Sequence, residues 1–251
     1  MDTARAYTAG NRVAWDEIAP HRPPEPAEFF RTGGSTLDGP EAAALGDVTG
    51  RRMLHLQCAS GNESLSWAAR GATVVGVDIS AVAVGLAAER AAQTGLPATF
   101  VAADVYDLPP ELTGFDVVYA SSGVVCWLPD LDRWARVVAG RLRPGGVFLL
   151  WEHHPVWEAT AGGPDGLRAV TDYFGRGTPV ATLDGSRRPG AASAETRFVS
   201  FLWPVGDVVT ALVRAGLRLV ELAEYPVPGL YGGGGSAGWL PGAYLVRAVR
   251  V

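Results

Sequence analysis

The chain has 251 residues, 48% of them apolar, and a formal net charge of −5. That length suits one α/β domain with an insertion, and the mild negative balance argues against a nucleic-acid or anionic-membrane partner. No apolar run reaches the length of a membrane span, the N-terminal stretch lacks the apolar core of a secretion signal, and Cys58 and Cys126 form neither a disulfide framework nor a zinc spacing, so a reduced, cytoplasmic setting with no metal is expected.

Residues Tyr7 to Ile18 place Tyr7, Val13, Ala14, Trp15 and Ile18 at the spacing of an amphipathic helix. The stretch HRPPEPAEFF that follows is stiffened by three prolines, which are expected to forbid a helix. A loop then leads to a short helix over Glu41 to Leu45 and a turn into the first core strand. From Arg52 to Ser80 the pattern is strand, tight turn, helix, turn, strand: Met53 to Gln57 is apolar, Cys58 to Gly61 are small, Asn62 to Arg70 has helical spacing, and Thr73 to Val77 is β-branched and ends at Asp78. This is a βαβ unit with an acid at the tip of its second strand, well placed to accept from the two hydroxyls of a ribose.

A dinucleotide fingerprint would put glycines at Gln57, Ala59 and Asn62, and none matches. The looser G-x-G-x-G turn falls on Gln57, Ala59 and Gly61, keeping the last glycine and a small middle residue. On these residues the chain resembles the class I S-adenosylmethionine-dependent methyltransferases, and in particular a bacterial branch whose first motif reads H-L-Q-C, here His55 to Cys58. His55 then stands where most of the superfamily carries an acid. The resemblance covers Arg52 to Glu152 closely and the rest loosely. It implies a Rossmann-like, seven-stranded, mostly parallel sheet with helices on both faces, its last strand antiparallel. It divides the chain into a lid or cap over 1–50, a cofactor-binding core over 51–152, an acceptor-pocket insertion over 153–203 after the fifth strand, and a C-terminal helix and strands over 204–251.

The same resemblance implies S-adenosylmethionine as cofactor and S-adenosylhomocysteine as product. Gln57, Cys58, Ala59 and Gly61 would form the turn around it, and Asp78, Ile79 and Ser80 the ribose end. N-terminal segments of the superfamily often close over the cofactor, which gives Tyr7, Asn11 and Trp15 a ligand-facing role beside the plain reading of a packing helix. A helix over Ala81 to Thr94, closed by Gly95, leads to a third strand, Ala98 to Ala102. In the superfamily an acid just past that strand accepts from the adenine amino group with a backbone N–H beside it, a role that falls on Asp104 and Val105; an ordinary Asx-turn is the alternative. The fourth strand, Phe115 to Tyr119, runs into small residues that include Ser121, the rim where the resemblance places the methionine part of the cofactor and the acceptor; Trp127 just beyond either packs on the cofactor or seals the next helix.

A helix over Pro129 to Leu142 and the turn Arg143-Pro-Gly-Gly146 lead to the fifth strand, Val147 to Glu152, followed by His153, His154 and Pro155. From Val156 to about Arg197 the pattern breaks into glycine, proline and single aromatics, read as an insertion with short strands near Tyr173-Phe174 and Thr196 to Trp203 that would roof the acceptor, with Trp157, Tyr173 and Phe174 either lining the pocket or forming the insertion's own small core. A helix over Pro204 to Ala215, a strand over Leu217 to Tyr225, a glycine-rich loop over Tyr231 to Gly238 and a strand over Tyr244 to Val251 complete the chain.

Methyl transfer is an in-line displacement, in which alignment supplies much of the rate and aromatic faces can hold a fading cation. A base is needed when the acceptor carries a proton, and histidine, with an ordinary pKa of about 6.5, suits that role. Alternation along a strand lets only one of His153 and His154 face a pocket. His154 is favoured because Glu152, His154 and Pro155 match the E-x-H-P of the branch; Glu152 is a second candidate for base or orienter, and a plain turn-capping role for the histidine stands beside both. The expected partner is a small-molecule acceptor, with an aromatic one suggested by the tryptophans, taken at oxygen, nitrogen or activated aromatic carbon in bacterial specialised metabolism. Monomer and homodimer are both open. Two other readings stand beside this one: a cofactor-binding sensor or non-methylating enzyme of the same fold, and an interaction module that has lost the ligand.

Overall fold

A computed structural model describes residues 3–22, 24–163, 166–182, 198–227, 230–231 and 237–251. Three helices precede the sheet: α1 (Thr3–Ile18), α2 (Ala27–Arg31) and α3 (Gly39–Leu45). The proline-rich stretch therefore does contain a helix. Pro26 sits in extended conformation at the N-cap of α2, where its missing N–H costs nothing, and the turn Ala27–Arg31 follows it. Helix α3 starts earlier than its apolar residues suggest because Asp38 and Glu41 form a capping box.

The core alternates β1 (Arg52–Leu56), α4 (Asn62–Ala69), β2 (Thr73–Asp78), α5 (Ala81–Thr94), β3 (Ala98–Ala102), β4 (Phe115–Ser121), α6 (Leu131–Arg141) and β5 (Leu142–His153). Ser80 caps α5 through the Ala83 N–H, and Asp130 caps α6 through the Arg133 N–H. After the insertion come α8 (Val205–Arg214), β10 (Leu217–Tyr225) and β11 (Ala243–Arg250). The seven-stranded sheet has the order β10-β11-β5-β4-β1-β2-β3, with β11 antiparallel to both neighbours and the β1 to β5 pairs parallel. It is the Rossmann-like sheet expected from the sequence.

Alternation along each strand builds two apolar layers. Phe148 and Leu150 of β5 join Trp134, Val138, Val208 and Leu212 of α6 and α8 on one face. Leu149 and Trp151 join Met53, Trp67 and Tyr119 on the other, over α3 and α4. Both layers are shut, with Trp67 and Trp134 wholly buried. The insertion contains α7 (Pro155–Ala159), a hairpin of β6 (Thr160–Gly163) with β7 (Gly166–Ala169), and a ladder of β8 (Val180–Thr182) with β9 (Phe198–Ser200). Tyr173 and Phe174 lie in a turn, not a strand, and their rings pack on each other at 5.0 Å. Of the expected strand over Thr196 to Trp203, Thr196 and Arg197 lie outside the described residues, as do 232–236 of the glycine-rich loop. Among the described residues no helix is long and apolar enough to cross a membrane, and no cluster of histidine, cysteine and acidic side chains has the makings of a metal site.

Candidate functional site

Because β1, β2, β3, β4 and β5 are parallel, their carboxyl ends open on one rim, and a cleft of about 1140 Å³ lies along it. The turn after β1 forms its floor. Gln57, Ala59 and Gly61 have φ of 56°, 47° and 80°. The three positions where the G-x-G-x-G turn has glycine thus keep the left-handed backbone of glycine although two have lost the residue. A left-handed residue with a Cβ costs roughly 1–2 kcal/mol, and such strain persists where a ligand site needs the turn. Gly61 itself has no freedom to change: a Cβ there would stand 2.8 Å from the Phe100 ring and 2.9 Å from Ala87. It packs α4 against the sheet and does not line the cleft.

Asp78 ends β2 at the rim. It accepts from the N–H of Ala59 at 2.8 Å and of Ser80 at 2.9 Å. Burial raises its pKa, against the pull of those two N–H groups. An ionised carboxylate has about four acceptor sites, so both oxygens retain capacity toward the cleft. Asp104 follows β3 in the same way. It accepts from the Tyr106 N–H at 2.9 Å and from the Thr8 hydroxyl at 2.6 Å. Ile79, Ser80, Val105, Ser121, Cys58 and Trp127 also line the cleft.

Helix α1 covers it. Thr8, Asn11 and Trp15 face inward, and Asp16 holds the helix down by accepting from the Ser80 hydroxyl at 2.7 Å. Asn11 makes two 2.8 Å hydrogen bonds with the Val199 backbone of β9. Tyr7, expected to face the ligand, is not part of the cleft lining; its ring is set edge-on to Phe201 at 5.4 Å. The far half of the cleft is apolar. Trp15, Trp127 and Phe198 pack together at 5.0–5.3 Å, and Trp157, Val170 and Leu202 continue the wall.

The end of β5 corrects the expectation for the two histidines. His153 lines the cleft, with its Nδ1 3.8 Å from where a Cβ on Gly123 would stand and its ring edge-on to Trp157 at 5.1 Å. His154 is 4% exposed and turned away. Its Nδ1 accepts from the Val156 N–H at 3.2 Å, capping α7, and its Nε2 meets Glu224 at 2.8 Å. Burial lowers its pKa, partly offset by the Glu224 carboxylate. The physical reason is local: Pro155 begins a helix, so the residue before it becomes an N-cap. Glu152 is engaged as an acceptor. It is buried, and its two oxygens accept from the N–H groups of Gly123, Val124 (2.8 Å), Val125 (2.8 Å) and His153 (2.7 Å). It ties the loop after β4 to the end of β5, so the Gly123 backbone lies beside His153.

A family model described as a methyltransferase domain matches residues 53–146. An S-adenosylmethionine-dependent methyltransferase from Mesorhizobium loti has the same fold, with a TM-score of 0.65 and 25% identity, over 84% of this chain and 96% of that one. Residues 53–146 thus match a methyltransferase domain, and the chain has the fold of the S-adenosylmethionine-dependent methyltransferases. Among curated relatives, a fatty-acid O-methyltransferase from Mycolicibacterium smegmatis is 33% identical over 52% of this chain and 46% of its own length. A ubiquinone biosynthesis O-methyltransferase from Paramagnetospirillum magneticum is 29% identical over 57% and 59%. The chain spans about half the length of the curated relatives it matches.

The walls of the cleft fit S-adenosylmethionine by their chemistry. Carboxylates with acceptor sites to spare stand at the end of β2 and just past β3, a strained turn follows the neighbouring β1, and Gln57 Oε1 is buried without a partner while its Nε2 donates to Val124 O at 3.0 Å. The sequence reading missed Thr8 and Glu63, both on the cleft wall. Thr8 falls one helical turn before Asn11 and Trp15 would fix the face, a signal that was there to use. Glu63 carried no motif to mark it.

Proposed function

We propose that this chain methylates oxygen, nitrogen or an activated aromatic carbon of a small molecule in bacterial specialised metabolism. One observation carries the reading. The same cleft holds Asp78 and Asp104 at one end and, at the other, His153 beside an apolar wall of tryptophans. Its volume of about 1140 Å³ exceeds the roughly 300–1,000 Å³ of a pocket for one small ligand, in keeping with two ligands side by side. The acceptor wall comes largely from the insertion, outside the matched 53–146 segment, so the acceptor is set by parts that are not common to the family model. The two relatives above are named for small-molecule O-methylation, which supports an acceptor of that class.

S-adenosylmethionine, when bound, supplies an electrophilic methyl group on a sulfonium. The chain's own residues do the rest. Asp78 holds the ribose hydroxyls. Asp104 accepts from the adenine amino group, and the Val105 N–H meets the ring beside it. Trp15 and Trp127 exclude water and present ring faces. A ring nitrogen of His153 takes the acceptor's proton, and Trp157 and Gly123 fix the plane of that ring.

The test has two steps. Calorimetry with S-adenosylhomocysteine on the parent and on Asp78→Asn should show binding in the parent that weakens about 10–100-fold in the variant, the loss expected of a charged hydrogen-bond partner. A panel of small phenols, amines and acids with isotopically labelled S-adenosylmethionine should then yield a labelled product. Cofactor binding with no methylated product from any acceptor would favour the sensor or non-methylating reading.

A further inference from the structure

Class I methyltransferases need an anchor for the amino-acid end of their cofactor, and the usual acid at the tip of β1 is missing here. His55 occupies that position. It is fully buried, with Nδ1 2.7 Å from the Ser64 hydroxyl, Nε2 3.3 Å from the Ser121 hydroxyl, and its ring 4.7 Å from that of Tyr119. Burial pushes its pKa down to about 3, so it is neutral. Both nitrogens are engaged, and the ring has no charge to offer an ammonium group.

Eight residues on, in the first turn of α4, Glu63 lines the cleft. We infer that Glu63, which lines the same cleft as Gln57, holds the α-ammonium of the methionine portion of the cofactor and so replaces the acid that His55 displaced. Two observations and one chemical argument carry this. Glu63 is an acid whose carboxyl burial pushes up, with a backbone hydrogen bond, Arg90 and the Thr36 hydroxyl pulling the other way by less. Arg90 is itself committed elsewhere, donating to Asn62 Oδ1 at 2.7 Å and Glu25 O at 3.1 Å. An enclosed carboxylate that still opens on a cleft is costly until a cation meets it. Second, Gln57 Oε1 is a buried acceptor with no partner in the protein, and the hydrogen bond from its Nε2 to Val124 O fixes which end of the amide is free. Third, an ammonium has three N–H donors, and a carboxylate with an amide oxygen gives it one charge-assisted and one neutral bond.

The inference rests on the cofactor reading above, so its test separates the two. Calorimetry compares S-adenosylhomocysteine with its analogue lacking the α-amino group. The parent should prefer the amino compound by about 10–100-fold. Glu63→Gln should lose most of that preference while binding the desamino compound nearly as the parent does. Asp78→Asn should weaken both ligands and keep the preference. A Glu63→Gln variant that retains the parent's preference overturns the role of Glu63 and leaves the cofactor reading intact. A parent that binds neither compound overturns both. If Glu63→Gln does not fold, a crystal of the parent with S-adenosylhomocysteine decides: a Glu63 oxygen within hydrogen-bond distance of the amino nitrogen is expected, and an amino group held only by backbone and water overturns the assignment.

Discussion

Thr8, in the first helix, donates a 2.6 Å hydrogen bond to the carboxylate of Asp104, at the end of the third strand. A residue of the cover thereby orients the residue proposed to read adenine. Thr8→Val keeps the shape and removes the donor. S-adenosylhomocysteine should bind about 2–12-fold more weakly, the equivalent of a net hydrogen bond of about 0.5–1.5 kcal/mol. Unchanged affinity by calorimetry would reduce the helix to packing.

His153→Ala should lower kcat by about 10²–10⁴-fold if the ring is a general base, with cofactor affinity little altered, and the acidic limb of the pH–rate profile should disappear. His154→Ala should leave kcat nearly unchanged and cost roughly 1 kcal/mol of stability through the lost cap of α7. Thermal unfolding and steady-state kinetics on the two variants distinguish the roles. The opposite ranking would return the catalytic assignment to His154.

Glu152→Gln replaces one acceptor oxygen by a donor in front of backbone N–H groups. At least one buried N–H of the Gly123–Val125 loop loses its partner, at about 1–3 kcal/mol. For a chain of this size that is roughly 2–4 °C of melting temperature per kcal/mol. A variant that melts like the parent but has lost turnover would instead mark Glu152 as a participant in proton transfer.

Glu41 is 2% exposed, accepts from the Tyr119 hydroxyl, and has its carboxyl pushed up from 4.5 to about 7 by burial. Between those two values the folded chain keeps a proton that the unfolded chain has released. The contribution is therefore complete below about pH 4.5 and is lost as pH rises through about 7. Glu41→Gln removes this titration. Chemical denaturation at pH 5 and at pH 8.5 should show the stability difference moving in the variant's favour by up to about 3 kcal/mol at the higher pH. A difference that does not change with pH would mean that Glu41 is ionised throughout.

Much of the fold was legible because its signals are local. The helix Ala81–Thr94 lies between a serine N-cap and Gly95, and the strands Ala98–Ala102 and Leu217–Tyr225 are bounded by turn residues. What escaped depends on neighbours in space. The pairing of His153 with Ala243 and of Glu152 with Tyr244 sets which side chains face the rim, and no single strand carries that information. The His-Pro step did hold one usable sign, since proline at the first helical position makes the residue before it an N-cap. Glu63 was hidden differently: its importance follows from His55 being neutral, a consequence of burial that spacing does not reveal.

The paired hydrogen bonds between Asn11 and Val199 join the element over the cofactor to the ladder over the acceptor. The two halves of the chain are therefore not interchangeable modules. Because Asn11 meets only backbone atoms at position 199, a graft of residues 155–203 from another methyltransferase should keep that seam only when its chain follows the same path there and Asn11 is left in place.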